Sequence, residues 1–292
     1  DSIRYPNSWE MASRIGLLLL AATFVGASAR LKIISPVKPK VELLKIISPA
    51  KPKVELDNDC KCIQWKELYK TGVPCGGGLE YFPATGHGAP TEMATDMIGG
   101  EFCKKFFTRM ENNYCVNIDF NAKSDDWKGQ QWCYVSSKCA DKNVKLNGVV
   151  GGVNALKTKV CNPMHDTLTR WMTPLQLDVL RHSYDIDLGL LAKFAYPVWQ
   201  GEKWPAVERF FVGTGAVNLL ASGVRKDLQK VMEDKERYLF DSPDGKTPFY
   251  VVAGKRVWKI NQTPGAPSKW LAGDMKHVNE IQCIANCEDE HQ

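Results

Sequence analysis

"QQWCYVSSKC", Gln130 to Cys139, decides how this chain is read. Two cysteines stand six positions apart, with a tryptophan before the first and a tyrosine directly after it. Three chemistries compete for them: a disulfide framework, a metal site, or an enzyme nucleophile. Zinc sites bring ligands in pairs about two to four residues apart, with a second pair downstream. Cys133 and Cys139 are more widely spaced, and no histidine lies between Cys103 and Cys161. A catalytic thiol needs a histidine partner. In residues 57–162 the only histidine is His87, inside the Gly-Pro loop "PATGHGAP". A disulfide cage packed against Trp127, Trp132 and Tyr134 accounts for the same residues without further assumptions.

Working outward, the chain has ten cysteines. Cys60, Cys62, Cys75, Cys103, Cys115, Cys133, Cys139 and Cys161 crowd one block, and Cys283 and Cys287 stand alone near the end. An even number fits an oxidising compartment, and all ten are expected in disulfides. Cys60 and Cys62 are too close in sequence to bridge each other easily, so they point to different partners. The connectivity stays open. The block defines a disulfide-rich domain over residues 57–162, followed by a mixed helical and hairpin region over 163–292.

The start of the chain carries the compartment signal. After Met11, Arg14 supplies a basic residue. "IGLLLLAATFVGASA" then gives an apolar run ending in the small-x-small triplet Ala27-Ser28-Ala29. This is the pattern of a cleaved secretory signal over residues 11–29. The run is shorter than the roughly 20 apolar residues a bilayer span requires. Residues 1–10 precede that methionine and are read as upstream sequence rather than native protein. The mature protein is expected to be secreted.

Residues 31–43, "LKIISPVKPKVEL", and 44–56, "LKIISPAKPKVEL", are a tandem repeat identical at twelve of thirteen positions. The prolines favour extended, solvated backbone. Residues 30–56 hold seven basic residues against Glu42 and Glu55, a net +5, which equals the formal charge of the whole chain. The basic character therefore belongs to this tether, which could meet an acidic polymer or a membrane surface. The rest balances to zero and carries nothing that points to nucleic acid.

The coarse pattern is α+β. From Thr91, Ile98, Phe102, Phe106 and Met110 recur at helical spacing, placing Cys103 on an apolar face. "NNYCVNIDF" and "WKGQQWCYVSSKC" alternate like strands. "TPLQ" at Thr173–Gln176 is a capping box that starts a helix over 174–184. "DLGLLAKFAYPVW" predicts a short helix ending before Pro197. "AVNLLASGVRKDLQKVMEDKERYLF" carries the longest helical pattern, with Leu219, Leu220, Val224, Leu228 and Met232 on one face. "KTPFYVVAGKRVWKI" predicts one β-hairpin turning at Ala253-Gly254-Lys255. From Asp274 the tail reads as a final helix. There Cys283, Cys287 and His291 would share a face, as a disulfide or, as runner-up, a zinc site.

"GQQWCYVSSKC" resembles the Trp-Cys-Tyr segment of kringle and fibronectin type II modules over about ten residues, but the other cysteine spacings fit neither. "EFC..FF....NNYCVN", "WCYVSS.C" and the later "AYPVW" together resemble a cysteine-rich, secreted family of dinoflagellate algae. That likeness covers most of residues 57–200; it implies export and no particular reaction. "CGGG" with "CNPMHD" is similar to secreted phospholipase A2. Here, however, His165 follows Cys161 by four positions, the paired cysteine is missing, and Pro163 interrupts the helix.

No nucleophile elbow, zinc-protease helix, phosphate loop or dinucleotide fingerprint occurs. The leading expectation is therefore an exported, non-catalytic binding or structural protein without a cofactor. Trp204, Tyr250, Trp258 and Trp270 are its candidate contacts for a glycan, matrix or protein partner. Two alternatives stand beside it. One is a plastid-lumen subunit of a membrane complex, reached by a bipartite targeting segment; the other is a secreted hydrolase using His87 or His165. Asn261 opens the one N-glycosylation sequon, directly before Pro264.

Overall fold

The computed structural model describes residues 58–85, 96, 99–120, 129–141, 144–145, 156–213, 220–233, 236–242 and 245–287. The signal segment, the tandem repeat, His87, Trp127 and His291 lie outside them, as do the expectations placed there. The architecture is α+β, with two four-stranded antiparallel sheets and five disulfides.

In chain order, helices α1 (Trp65–Lys70) and α2 (Phe82–Thr85) precede a π-helical segment, Gly99–Phe107. The first sheet follows: β1 (Val116–Asn117), β2 (Gln131–Ser136), β3 (Val144–Lys145) and β4 (Leu156–Val160), in spatial order β1-β2-β4-β3. Strand β2 is the opening stretch of sequence. Trp132 and Tyr134 point to one face, where Trp65 meets both edge-on at 5.1 and 5.8 Å between ring centroids. Cys133 points to the other and bonds Cys62. The remaining bonds in this region are Cys60–Cys139, Cys75–Cys103 and Cys115–Cys161.

The second half supplies α3 (Pro174–Tyr184), α4 (Leu188–Ala195), α5 (Trp204–Phe211) and α6 (Ser222–Glu233). Thr173 and Gln176 form the expected reciprocal capping box. Strands β5 (Arg237–Phe240), β6 (Phe249–Ala253) and β7 (Arg256–Gln262) follow, then helix α7 (Ala266–Ala272) and strand β8 (Asn279–Ala285). The predicted hairpin is β6–β7, and Gly254 takes the φ of +62° that its tight turn requires. The hairpin is the centre of a sheet ordered β5-β6-β7-β8.

The tail corrects the sequence expectation. Asp274 makes no side-chain cap; its carboxylate lies 2.8 Å from His277 Nδ1 instead, and only a single 3-10 turn, Met275–His277, forms. The chain then runs as β8 along the open edge of β7, from Asn279 opposite Gln262 to Ala285 opposite Val257. An unpaired ladder edge outweighed a weak helical pattern. Cys283 and Cys287 consequently share no helix face. They are bonded across a turn in which Asn286 has a φ of +54°.

Two hydrophobic cores flank the second sheet. The larger core takes residues from Cys60 through Phe194 to Ile260, so it crosses position 162, where the sequence suggested a boundary. Phe249 and Val251 of β6 face it. Val252, between α5 and α6, faces the smaller core with Trp204, Phe211 and Leu228. Two buried amides tie the halves together. Gln131 Nε2 donates to Ala195 O at 2.9 Å, and Asn117 Nδ2 donates to Lys193 O and Tyr196 O at 2.9 and 2.8 Å. These carbonyls belong to the last turn of α4, which has no intrahelical donors for them, so the first sheet caps the helix.

Glu80 is fully buried beneath β2. It accepts from Tyr134 Oη at 2.8 Å, Tyr69 Oη at 3.0 Å and the Gly78 backbone N–H at 2.8 Å. Burial raises its carboxyl above the ordinary range. A carboxyl raised in the folded state contributes stability that is complete below its unfolded pKa and is lost as pH rises through the folded value. Unfolding by urea from about pH 4 to about pH 8 should therefore show stability falling with pH, and Glu80→Gln should flatten that fall. Equal slopes for the two proteins would refute this assignment.

Candidate functional site

A cleft of roughly 230 Å³ opens where the π-helical segment, the start of α4, the β5–β6 connection and β8 meet. Its floor is built on the N-terminus of α4. Asp187 caps that helix by accepting from Leu190 N–H at 2.8 Å. Its other oxygen accepts from Asn279 Nδ2 at 2.7 Å. Gly189 leaves room for this pair, since a Cβ there would meet Phe249 at 2.9 Å and Asp187 Oδ1 at 3.2 Å. Burial holds the Asp187 carboxyl above its usual range.

Asn279 is 3% exposed, and its Oδ1 has no hydrogen-bond partner among the described residues. A buried amide oxygen without a donor costs about 1–3 kcal/mol. Asn279 also lines the cleft, where it fixes the Asp187 carboxylate rather than opening its own oxygen to solvent.

The walls carry three lysines, a glutamate and aromatic rings. Lys105 and Glu101, four apart on the π-helical segment, both line the cleft. π-Helical turns are rare and recur at functional sites. The Lys105 ammonium lies over the ring of Trp270, and burial lowers its pKa. Lys193 donates to Gly245 O at 2.8 Å, pairs with Asp241 at 3.0 Å and lies 4.6 Å from the Phe249 ring centre. Lys246 and Gln262 complete the rim. The arrangement can hold a small polar ligand among charged side chains, with aromatic surface at its side.

Of the four aromatics proposed from sequence, only Trp270 belongs to this cleft, and it is 46% exposed. Trp204 and Trp258 are buried, at 3% and 2% exposure. Tyr250 is half-buried and stacks on Trp204 with centroids 4.2 Å apart. Their alternation in the strands and on α5 turns them toward the cores. Asn261 lies within β7, opposite Glu280. His165 sits on the turn after β4, and its backbone N–H donates to Asn162 O. The phospholipase pattern is absent there: Asp166, its neighbour, is instead paired with buried Lys159.

Lys105, Asp187, Lys193 and Asn279 were not singled out from the sequence. The one legible signal was local: Asp187 followed by a glycine and leucines is a helix start. Asn279 comes from a segment more than ninety residues away and carries no motif.

Among the described residues no helix is long and apolar enough to cross a membrane. Comparison of the chain with family models, with curated proteins and with solved structures returns no match.

Proposed function

We propose that this chain is an exported, disulfide-stapled binding protein that holds a unit of an acidic glycan in the cleft around Asn279 and Trp270. The observation that carries this reading is a cleft in which Lys105, Lys193 and Lys246 stand beside the rings of Trp270 and Phe249, with Trp270 46% exposed. A carboxylate or sulfate on the same unit suits Lys105, Lys193 and Lys246. Trp270 and Phe249 offer apolar surface to a sugar ring. The basic segment 30–56, with its net +5, favours the same acidic polymer. Five disulfides suit a secreted location.

Calorimetry with uronate-bearing and neutral oligosaccharides tests this. The acidic ligands should bind, and more weakly as salt rises, because the attraction is ionic. Trp270→Ala should weaken binding by about tenfold, equivalent to ~1.4 kcal/mol. Its unfolding free energy should move by no more than about 0.5 kcal/mol, since half of the ring is already in solvent. Binding of neutral and acidic sugars alike, or an undiminished affinity in the variant, would remove the reading.

Hydrolysis in the same cleft is the second reading, because two carboxylates, Asp187 and Glu101, line it and burial raises the pKa of Asp187. A raised carboxyl is suited to donate a proton to a leaving group. Turnover of an acidic oligosaccharide that disappears in Asp187→Asn, with binding retained, would establish it; binding without turnover returns the cleft to the first reading.

A further inference from the structure

Two disulfides of the first sheet lie side by side. Cys133 on β2 bonds Cys62, and Cys161, one residue beyond β4, bonds Cys115, one residue before β1. Between the two bonds, Cys62 Sγ is 3.7 Å from Cys115 Sγ and 4.0 Å from Cys161 Sγ. All four sulfurs lie within 4.8 Å of one another. Zinc binds thiolates at about 2.3 Å in a tetrahedron, which sets neighbouring sulfurs about 3.8 Å apart. These two of the four non-bonded spacings already match that edge.

The four sulfurs also stand on fixed backbone. Cys115 N–H donates to Thr167 O at 2.9 Å, Cys161 N–H donates to Gln131 O at 2.8 Å, and Ile63 N–H, beside Cys62, donates to Tyr134 O at 2.8 Å. Cys133 is paired within the sheet opposite Lys159. All four residues are buried, so water does not compete for a bound ion. The carboxylate of Asp166 lies 3.6 Å from Cys62 Sγ and holds the buried Lys159 ammonium at 2.7 Å. Because the ammonium neutralises that carboxylate, the nearby pair adds no net charge beside a centre that would carry a net −2.

We propose that the reduced chain closes Cys62, Cys115, Cys133 and Cys161 around one soft divalent metal ion, with zinc as the best fit, so that the cluster has two states: a pair of disulfides or a tetrathiolate centre. The balance is simple. Two dithiol molecules give up four electrons and four protons, break both S–S bonds and leave as two disulfides. The metal ion then replaces the four thiol protons. Sequence spacing hides this site, because each ligand comes from a different element. It is independent of the glycan cleft.

The test uses the full chain, reduced anaerobically with a phosphine, because dithiols themselves chelate zinc. The protein is alkylated with and without zinc, and labelling is read at each cysteine by mass spectrometry. Zinc should slow labelling of Cys62, Cys115, Cys133 and Cys161 by about tenfold or more. Cys60, Cys75, Cys103, Cys139, Cys283 and Cys287 should label at the same rate with and without it. Cobalt in place of zinc should give the absorption of a tetrahedral thiolate complex at one ion per chain. That absorption should vanish in Cys62→Ser/Cys133→Ser and persist in Cys75→Ser/Cys103→Ser. Uniform labelling in both conditions, including that of a chain zinc fails to fold, overturns the proposal. Protection spread over all ten cysteines overturns it equally.

Discussion

Asp166→Ala lowers the stability of the folded chain by about 3–5 kcal/mol, which for a protein of this size is a fall in Tm of about 10 °C or more. The reason is the burial of its partner. Lys159 Nζ and the Asp166 carboxylate have side-chain exposures of only 2% and 3%, and they meet at 2.7 Å. The ammonium also donates to Cys60 O at 2.9 Å, while Asp166 Oδ2 accepts from Asn162 N–H at 2.8 Å. Removing the carboxylate strands a cation in a dry interior and leaves a backbone donor unpaired. Removing both charges is different, since a buried pair gains little net energy over apolar side chains of similar volume. The double variant Lys159→Met/Asp166→Leu should recover most of the loss. Chemical denaturation of Asp166→Ala and of the double variant checks this. A double variant no more stable than Asp166→Ala would show that the pair does more than neutralise itself.

Trp204→Ala has an effect of similar size, about 3–5 kcal/mol, through lost packing. Trp204 stacks on Tyr250, on Phe211 at 5.8 Å and nearly parallel, and meets Phe240 edge-on at 5.6 Å. It is the largest side chain of the smaller core, so its removal leaves a cavity between α5 and the second sheet. Its indole Nε1 has no hydrogen-bond partner among the described residues. Trp204→Phe therefore sheds an unpaired buried donor together with part of the ring, and should cost much less than alanine. Neither variant should change ligand binding at the cleft, because Trp204 packs on the opposite face of the sheet from Phe249. Lost glycan binding in a folded Trp204→Phe protein would restore this tryptophan as a contact residue.

Much of the fold was legible because local rules carry it. The capping box at Thr173, the proline stop after α4, the hairpin around Gly254 and the burial of Cys103 follow from residues close in sequence. The smaller core was partly visible too: Leu228 falls in the long helical pattern, although Val231, rather than Met232, is the fully buried residue beside it. The exposure of Leu175 and Val179 was not visible, because helix α3 buries Leu177 and Arg181 instead. Arg181 is drawn inward by the backbone carbonyls of Lys276 and Asn279, which it reaches across the molecule.

By itself the sequence determined the α+β class, the disulfide-rich character of the first half and the local starts and stops of most elements. Each of these depends on composition or on contacts within a few residues. Tertiary structure alone decided the rest. It turned the tail from helix to strand, because the open edge of β7 offered a ladder. It sent Trp204 and Trp258 inward, because the second sheet is covered on both faces. It brought Asn279 onto Asp187 and four distant sulfurs into one cluster. Those juxtapositions join residues from fifty to a hundred positions apart, and no local pattern encodes which distant partner a side chain will meet.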